Sequence, residues 1–581
     1  MPPLMDIRVE RNVAIPMRDG TALRADVFRP EPEGRYPVLL SRTPYSKSLG
    51  NLAYSWLQPI RPASEGYVVV IQDVRGRFES EGTFRPFHQE LNDGFDTVEW
   101  AARQVWSNGR VGMYGLSYLG ATQWLAAAAQ PPNLQCIFPG LTASDYYDGW
   151  TYQGGAFELG FNLTWSALLL ALPEISRSGL AAKQQNDLLQ GLYGIVWDHW
   201  PALRHLPPRS LPAFAHDVVA PYYKEWLDHP TRDAFWEPVT IEAAHSRIHT
   251  PAFNLGGWYD LFIRGTLRNF SGMRRDGPTE IARQGQKLLV GPWSHGVTLG
   301  SQVGQSVFGQ GSQVLLEELH MSWFDRWLKD VENGIELEPP VKVFTMGQNV
   351  FNQYSDWPPP EARITPFYFH SNGAAATAHG DGVLSVDRPD GERPDHFVYD
   401  PLNPCPTTGG ALFPYPLDVP PGQWDQERVE ARPDVLCYTS APVEHDFEVT
   451  GPVEVRLWGA STALDTDFTA KLVDVAPDGT PFNLCDGIIR ARYRNGFGAP
   501  ELLTPGQPIE LSIDLAGISN LFRTGHRIRV EISGSNFPRF DRNTNTGGLI
   551  ATDSDCLVAT NTVFHDASRP SHVLLPVVQR G

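Results

Sequence analysis

GRVGMYGLSYLGATQWLAAA, residues 109–128, decides how this chain folds. It begins as a short extended run, turns sharply through Gly115, Leu116, Ser117 and Tyr118, and continues as an alanine-rich helix. A serine at the sharpest point of a strand-to-helix turn has two readings. In one it caps the helix, its oxygen accepting a backbone N–H that the first turn leaves without a partner. In the other it is a nucleophile, lifted above a sheet for attack on an acyl carbon. The rest of the chain has to separate them.

Outward from this stretch the pattern is strand, helix, strand. Residues 6–30 alternate around Arg18-Asp19-Gly20, a hairpin signal. Residues 36–42 are a short apolar run ending at Pro44-Tyr45. YVVVIQD at 67–73 is near-continuous and β-branched, as in a strand buried on both faces, and the polar loop RGRFESEG follows it. Residues 90–105 read as a helix, and further apolar runs stand at 135–139, 252–256 and 287–291. This alternation predicts a parallel sheet covered on both sides. Between about 145 and 240 the texture changes. Residues 163–172, 181–200 and 218–228 are helical in period or composition, and no strand pattern appears, so a helical insertion is expected. Beyond about 352, with Pro358 to Pro360 as a linker, come VEVRLWG, DFTAKLVDV, IELSIDL, HRIRVEISG and HVLLPVV with turn residues between them. Short alternating runs without helical period predict an all-β sandwich or jelly roll.

The bulk numbers agree. A chain of 581 residues is too long for one core. It is 41% hydrophobic and 19% charged, and its 17 Trp and 50 Pro suggest aromatic-lined surfaces and rigid loops. A net charge of −19 disfavours nucleic acid, which needs clustered cations against phosphate. The five Cys show no metal-ligand spacing and read as reduced, buried thiols. The opening MPPLMDIRVERN lacks the pattern of a signal peptide, and no apolar run approaches the roughly 20 residues of a membrane span, so a cytoplasmic location is expected.

A serine nucleophile needs a base, and the base needs an orienting acid. In α/β hydrolases these follow as Ser, Asp or Glu, His, each just past a strand. PAFNLGGWYD places Asp260 after an apolar run and a Gly-Gly turn, and KLLVGPWSHG places His295 after the next run and a Gly-Pro turn. Sites form at that edge of an open α/β sheet.

GLSYLG, PYSK, QDVRGRFESEG, GGWYD and GPWSHG, followed by DTDFTAKLVDV, LCDGIIRARYR and SGSNFPRFDRNTNTGG, resemble the bacterial cocaine esterase family. X-prolyl dipeptidyl peptidases and α-amino acid ester hydrolases are its relatives. The resemblance covers nearly the whole chain. It implies an α/β hydrolase with an inserted helical cap domain and a C-terminal all-β jelly-roll domain, divided at 1–144, 145–240, 241–353 and 354–581. It implies Ser117, Asp260 and His295 as the triad, and the hydroxyl of Tyr45 with the N–H of Tyr118 as the oxyanion hole. Trp150 and Trp165 fall where the family has pocket tryptophans. Phe262, two residues past Asp260, and Leu412 and Phe413 in GGALFPYP are further pocket candidates. The general motif G-x-S-x-G expects Gly two residues after the serine. Here Leu119 stands in that place and Gly120 comes one later.

The expected activity is hydrolysis of carboxylic esters through an acyl-enzyme, without a metal or organic cofactor. The partner is a small-molecule ester or amide, with neither nucleic acid nor membrane, and a homodimer is the oligomeric option. An acylase or peptidase acting on amides would use the same triad. A non-catalytic carbohydrate-binding protein would account for the jelly roll, but not for Ser117, Asp260 and His295 in that order. Leu261, Phe262 and Ile263 beside the acid favour neutral acyl groups over charged amines, although Asp145, Asp148 or Glu158 could supply a counter-charge.

Overall fold

In the computed structural model the described residues are 4–50, 56–296, 299–414 and 418–579. The first sheet has ten strands: β1 Ile7–Pro16, β2 Ala22–Pro30, β3 Tyr36–Thr43, β4 Val68–Asp73, β5 Ser107–Leu116, β6 Leu134–Gly140, β7 Phe253–Tyr259, β8 Lys287–Ser294, β9 Val341–Thr345 and β10 Val350–Tyr354. Their order is β1-β2-β4-β3-β5-β6-β7-β8-β9-β10. The hairpin of β1 and β2 and the edge strand β10 pair antiparallel, while β4 through β9 are parallel. Burial on both faces explains the apolar runs. In 67–71, Val68 and Val70 face one core, and Tyr67, Val69 and Ile71 face the other. Helices α1 Glu90–Ala102 and α2 Tyr118–Ala128 pack on each other on the first side. Leu316–Lys329 covers the second through Trp323, Phe324 and Leu328.

The chain leaves the sheet after β6 and returns at β7. An antiparallel bridge between Asp145 and Thr240 closes the neck of this inserted segment. It contains helices Leu159–Thr164, Ala182–Trp197 and Pro221–Asp228, as its composition suggests. Two features depart from expectation. Residues 165–171 form a π-helical turn. A small hairpin joins Tyr152–Gln153 to Ala156–Phe157, in a region where no strand was expected. Two-residue strands are too short to show alternation.

The sheet also runs one residue past the expected boundary at 353. β10 ends at Tyr354 because its backbone completes pairing with β9, Tyr354 opposite Val341. After 358–360 the chain enters a second, twelve-stranded sheet spanning Ala362–Val578 in its strands. Its long strand Phe447–Ser461 pairs antiparallel with Ile509–Phe522, Ala559–Asp566 and His572–Val578. The core of this β-rich region is continuous with the first sheet: Trp258, Tyr259, Leu288 and Val343 share one apolar cluster with Leu457, Ile513 and Val530. Four of the five cysteines are buried free thiols, whereas Cys556 is half-exposed. Among the described residues no helix is long and apolar enough to cross a membrane.

Candidate active site

Ser117 joins β5 to α2 at φ +60° and ψ −122°, a conformation rarely adopted by residues with a side chain. Its N–H donates to the carbonyl of Gly140 at the end of β6 (2.9 Å). Gly115 stands at φ +133°, and the Leu119 side chain lies over it, so a Cβ there would sit 2.5 Å from that of Leu119. Gly120 brings α2 against the chain after β6, where an added Cβ would lie 2.8 Å from Thr142. The displaced glycine of the motif is thus the residue at the close approach, and Leu119 fills space beside Gly115.

The Ser117 side chain makes no capping hydrogen bond to its helix. Its Oγ lies 3.0 Å from Nε2 of His295. Nδ1 of His295 lies 2.7 Å from Oδ1 of Asp260. Asp260 follows β7, and its N–H bonds back to Gly257 (3.0 Å). His295 follows β8. All three side chains are buried. An imidazole that donates from Nδ1 to a carboxylate presents its Nε2 lone pair to the serine hydroxyl.

Tyr45 is buried on the turn after β3, and its oxygen accepts the indole N–H of Trp165 (2.9 Å). Burial pushes its phenol up to about 12, against the opposing pull of hydrogen bonds with Trp165 and Ser117. It therefore remains a donor at neutral pH. Tyr118 opens α2, where the first N–H groups have no acceptor within the helix and the dipole favours negative charge. Its hydroxyl donates to Glu90 (2.8 Å) and accepts the N–H of Phe87 (3.0 Å). Glu90 in turn pairs with buried Arg42 at 2.6 Å.

The pocket candidates come together. Trp150 stacks on Phe262 (4.1 Å between centroids, 11°), and Phe262 meets His295 edge-on at 5.2 Å. Trp165 lies 5.3 Å from Trp150. Phe413 reaches within 5.5 Å of His295 from the β-rich region, and Leu412 lines the adjoining cleft with Leu261, Glu158 and Arg539. Of the three carboxylates weighed as counter-charges, Asp145 pairs with Arg232 and Asp148 with Arg268 (3.1 Å). Glu158 alone borders the cleft, and Arg539 faces it at 3.6 Å.

Sequence reading missed three aromatic walls. Phe161 stacks on Trp165 (5.4 Å), and its i, i+4 spacing was a usable signal. Trp226 also stacks on Trp165 (5.8 Å, 2°). Phe87 contacts both Trp150 and Tyr118 at 5.0 Å from a loop position at φ +69°, which no local pattern reveals.

Residues 19–297 match the family model described as X-Pro dipeptidyl-peptidase (S15 family), and residues 333–574 match the X-Pro dipeptidyl-peptidase C-terminal non-catalytic domain. A cocaine esterase from Rhodococcus sp. (strain MB1 Bresler) is 39% identical, covering 98% of this chain and 99% of its own. A solved α-amino acid ester hydrolase is 25% identical with a TM-score of 0.79, covering 99% of this chain and 97% of that one. An aminopeptidase from a marine sediment archaeon, Thaumarchaeota archaeon, shares the fold at 23% identity with a TM-score of 0.81, over 99% and 97% of the two chains. With its α/β-hydrolase-type sheet, its C-terminal β-rich domain and a full-length match to the Rhodococcus enzyme, this chain belongs to the serine-type S15 family of hydrolases that includes the cocaine esterase.

Proposed function

We propose that the protein cleaves carboxylic esters with neutral or aromatic acyl groups, through an acyl-enzyme on Ser117. The observation that carries this reading is the continuous relay from Ser117 through His295 to Asp260, at 3.0 and 2.7 Å, beside an aromatic pocket. Ser117 Oγ attacks the ester carbonyl as His295 Nε2 takes its proton. Asp260 holds the imidazole and stabilises its charged form. The carbonyl oxygen gathers negative charge between the Tyr45 hydroxyl and the Tyr118 N–H. His295 returns the proton to the departing alcohol, and water then repeats the sequence on the acyl-serine. No step calls for a metal or organic cofactor.

The same reading gives the parts of the fold their roles. Residues 145–240 are a helical cap that supplies Trp150 and Trp165, and the region from 354 is a jelly roll that supplies Leu412 and Phe413. The substrate is a small molecule of the cytoplasm, and neither nucleic acid nor a membrane takes part. The match to peptidase domains favours a second reading, amide hydrolysis by the same relay.

Acyl preference follows from what surrounds Asp260. Ile263 packs into the core shared with the β-rich region, while Leu261 and Phe262 are buried and apolar in the same cluster as Trp150 and Trp165. An apolar ring gains roughly 25 cal/mol per Å² buried there, while an ammonium group loses its hydration. Glu158 is already opposed by Arg539. The test compares kcat/KM for a phenylacetyl or benzoyl ester with that for the matching phenylglycine ester, at a pH where the amine is charged. The neutral ester is expected to be better by about tenfold or more, the scale of one poorly satisfied polar group. An equal or better aminated substrate would contradict the preference.

A further inference from the structure

The oxyanion donor and the indole that meets it come from distant parts of the chain. Tyr45 stands on the turn after β3, and Trp165 opens the π-helical turn Trp165–Ala171 of the inserted segment. Arg77, from the loop after β4, bonds to backbone beside each of them, at Pro44 and at Leu169 and Leu170. Its Nε–H donates to the carbonyl of Pro44, the residue before Tyr45, at 2.8 Å. Its Nη1–H donates to the carbonyl of Leu170 at 2.9 Å, and its Nη2–H to that of Leu169 at 3.2 Å. Nη1 also pairs with the Glu174 carboxylate. The side chain is only 1% exposed. A planar guanidinium holds such acceptors in fixed mutual directions, as a single ammonium cannot.

Around this clamp the Tyr45 turn is held at two further backbone positions, the N–H groups of Tyr45 and Lys47. The Tyr45 N–H donates to Thr43 Oγ1 (3.0 Å), and the Lys47 N–H and Nζ bond to Asp73 (2.7 and 3.1 Å). Trp165 occupies an acceptor position of the Tyr45 oxygen. The phenolic proton is thereby directed away from the indole, leaving it available on the side where Ser117 lies.

We propose that Arg77 is a positioning residue of the oxyanion hole: one guanidinium sets the distance between the Tyr45 turn and the helix that carries Trp165, and so aims the Tyr45 hydroxyl. The proposal rests on the reading of Tyr45 as the oxyanion donor. A clamp that only ties the inserted segment down would affect stability and substrate binding. A clamp that aims Tyr45 affects kcat, and only while Tyr45 has a hydroxyl to aim.

The test is a double-mutant cycle on the full-length protein, with kcat and KM measured on a phenylacetyl or benzoyl ester. Tyr45→Phe is expected to lower kcat by about 10²–10³. Arg77→Lys keeps a cation beside Glu174 but loses the fork, and is expected to lower kcat by about tenfold or more, with KM little changed. In the Tyr45→Phe background the same change should cost less than about twofold. If Arg77→Lys does not fold, Arg77→Gln with Glu174→Gln removes both charges and the same cycle is read on it. Full kcat in the folded Arg77 variant, or an equal loss in both backgrounds, overturns the proposal alone. Full kcat in Tyr45→Phe overturns the reading of Tyr45 itself, and the proposal with it.

Discussion

Residue by residue, the parts of the site that follow strands were legible and the parts held by long-range packing were not. Ser117, Asp260 and His295 each stand just past an apolar run, so their order and placement could be read directly. Tyr45 had no local signature beyond a Pro-Tyr turn and came only from the family resemblance. Glu90, Phe87 and Arg77 act through partners tens of residues away, and nothing in their neighbours announces it. Glu158 is a case where reading and structure meet. Burial pushes its carboxyl up to about 7 from an ordinary 4.5, with Arg539 pulling it back. A carboxyl with a raised folded pKa adds stability below its unfolded value, near 4.5, and loses it as the pH rises through about 7. Glu158→Gln keeps the shape without titrating. Between pH 5 and pH 8 the variant is therefore expected to lose less unfolding free energy than the parent, by about 1–3 kcal/mol. Denaturant midpoints at the two pH values check this. An unchanged or steeper pH dependence in Glu158→Gln would show that the carboxyl is not held in its neutral form.

At the scale of the element, the β5–turn–α2 unit explains why the general nucleophile motif is only half present. The tight turn needs Gly115, and the close approach to the chain after β6 needs Gly120. Position 119 is a core position, occupied by a Leu that is 2% exposed. Leu119→Gly would write the general motif into the chain, yet it removes a buried side chain and places glycine in a helix. The expected result is a loss of about 3 kcal/mol or more in unfolding free energy, with no gain in kcat. A variant as stable as the parent would mean that Leu119 does not hold the turn. The inserted segment was legible as helical from its composition, because its helices have an apolar face. The π-helical turn and the Tyr152–Phe157 hairpin were not. A single π turn leaves no periodic trace, and the hairpin strands are too short to alternate.

For the whole molecule, the three textures of the sequence and their order were legible. The way the β-rich region joins the rest was not, since its contacts span hundreds of residues. Besides the shared apolar cluster, Arg264 donates to the Asp514 carbonyl (2.8 Å) and Tyr259 to that of Asn483 (3.2 Å). The inserted segment meets it as well, where the Gly160 N–H donates to Pro538 (2.9 Å). Truncation near residue 353 would expose this apolar face and remove Phe413 from beside His295. The fragment 1–353 is expected to be insoluble or inactive, as judged by expression, gel filtration and ester turnover. A soluble fragment of full activity would make the β-rich region a detachable module.

The most direct test of the central claim is covalent trapping. A fluorophosphonate reacts with a serine only where a base activates the hydroxyl and donors receive the developing charge. Intact-mass analysis followed by peptide mapping should find one adduct, on Ser117, formed at a rate that falls sharply in His295→Ala and lost in Ser117→Ala together with ester turnover. Ester turnover that persists in Ser117→Ala, or an adduct that maps to another residue, would contradict the account.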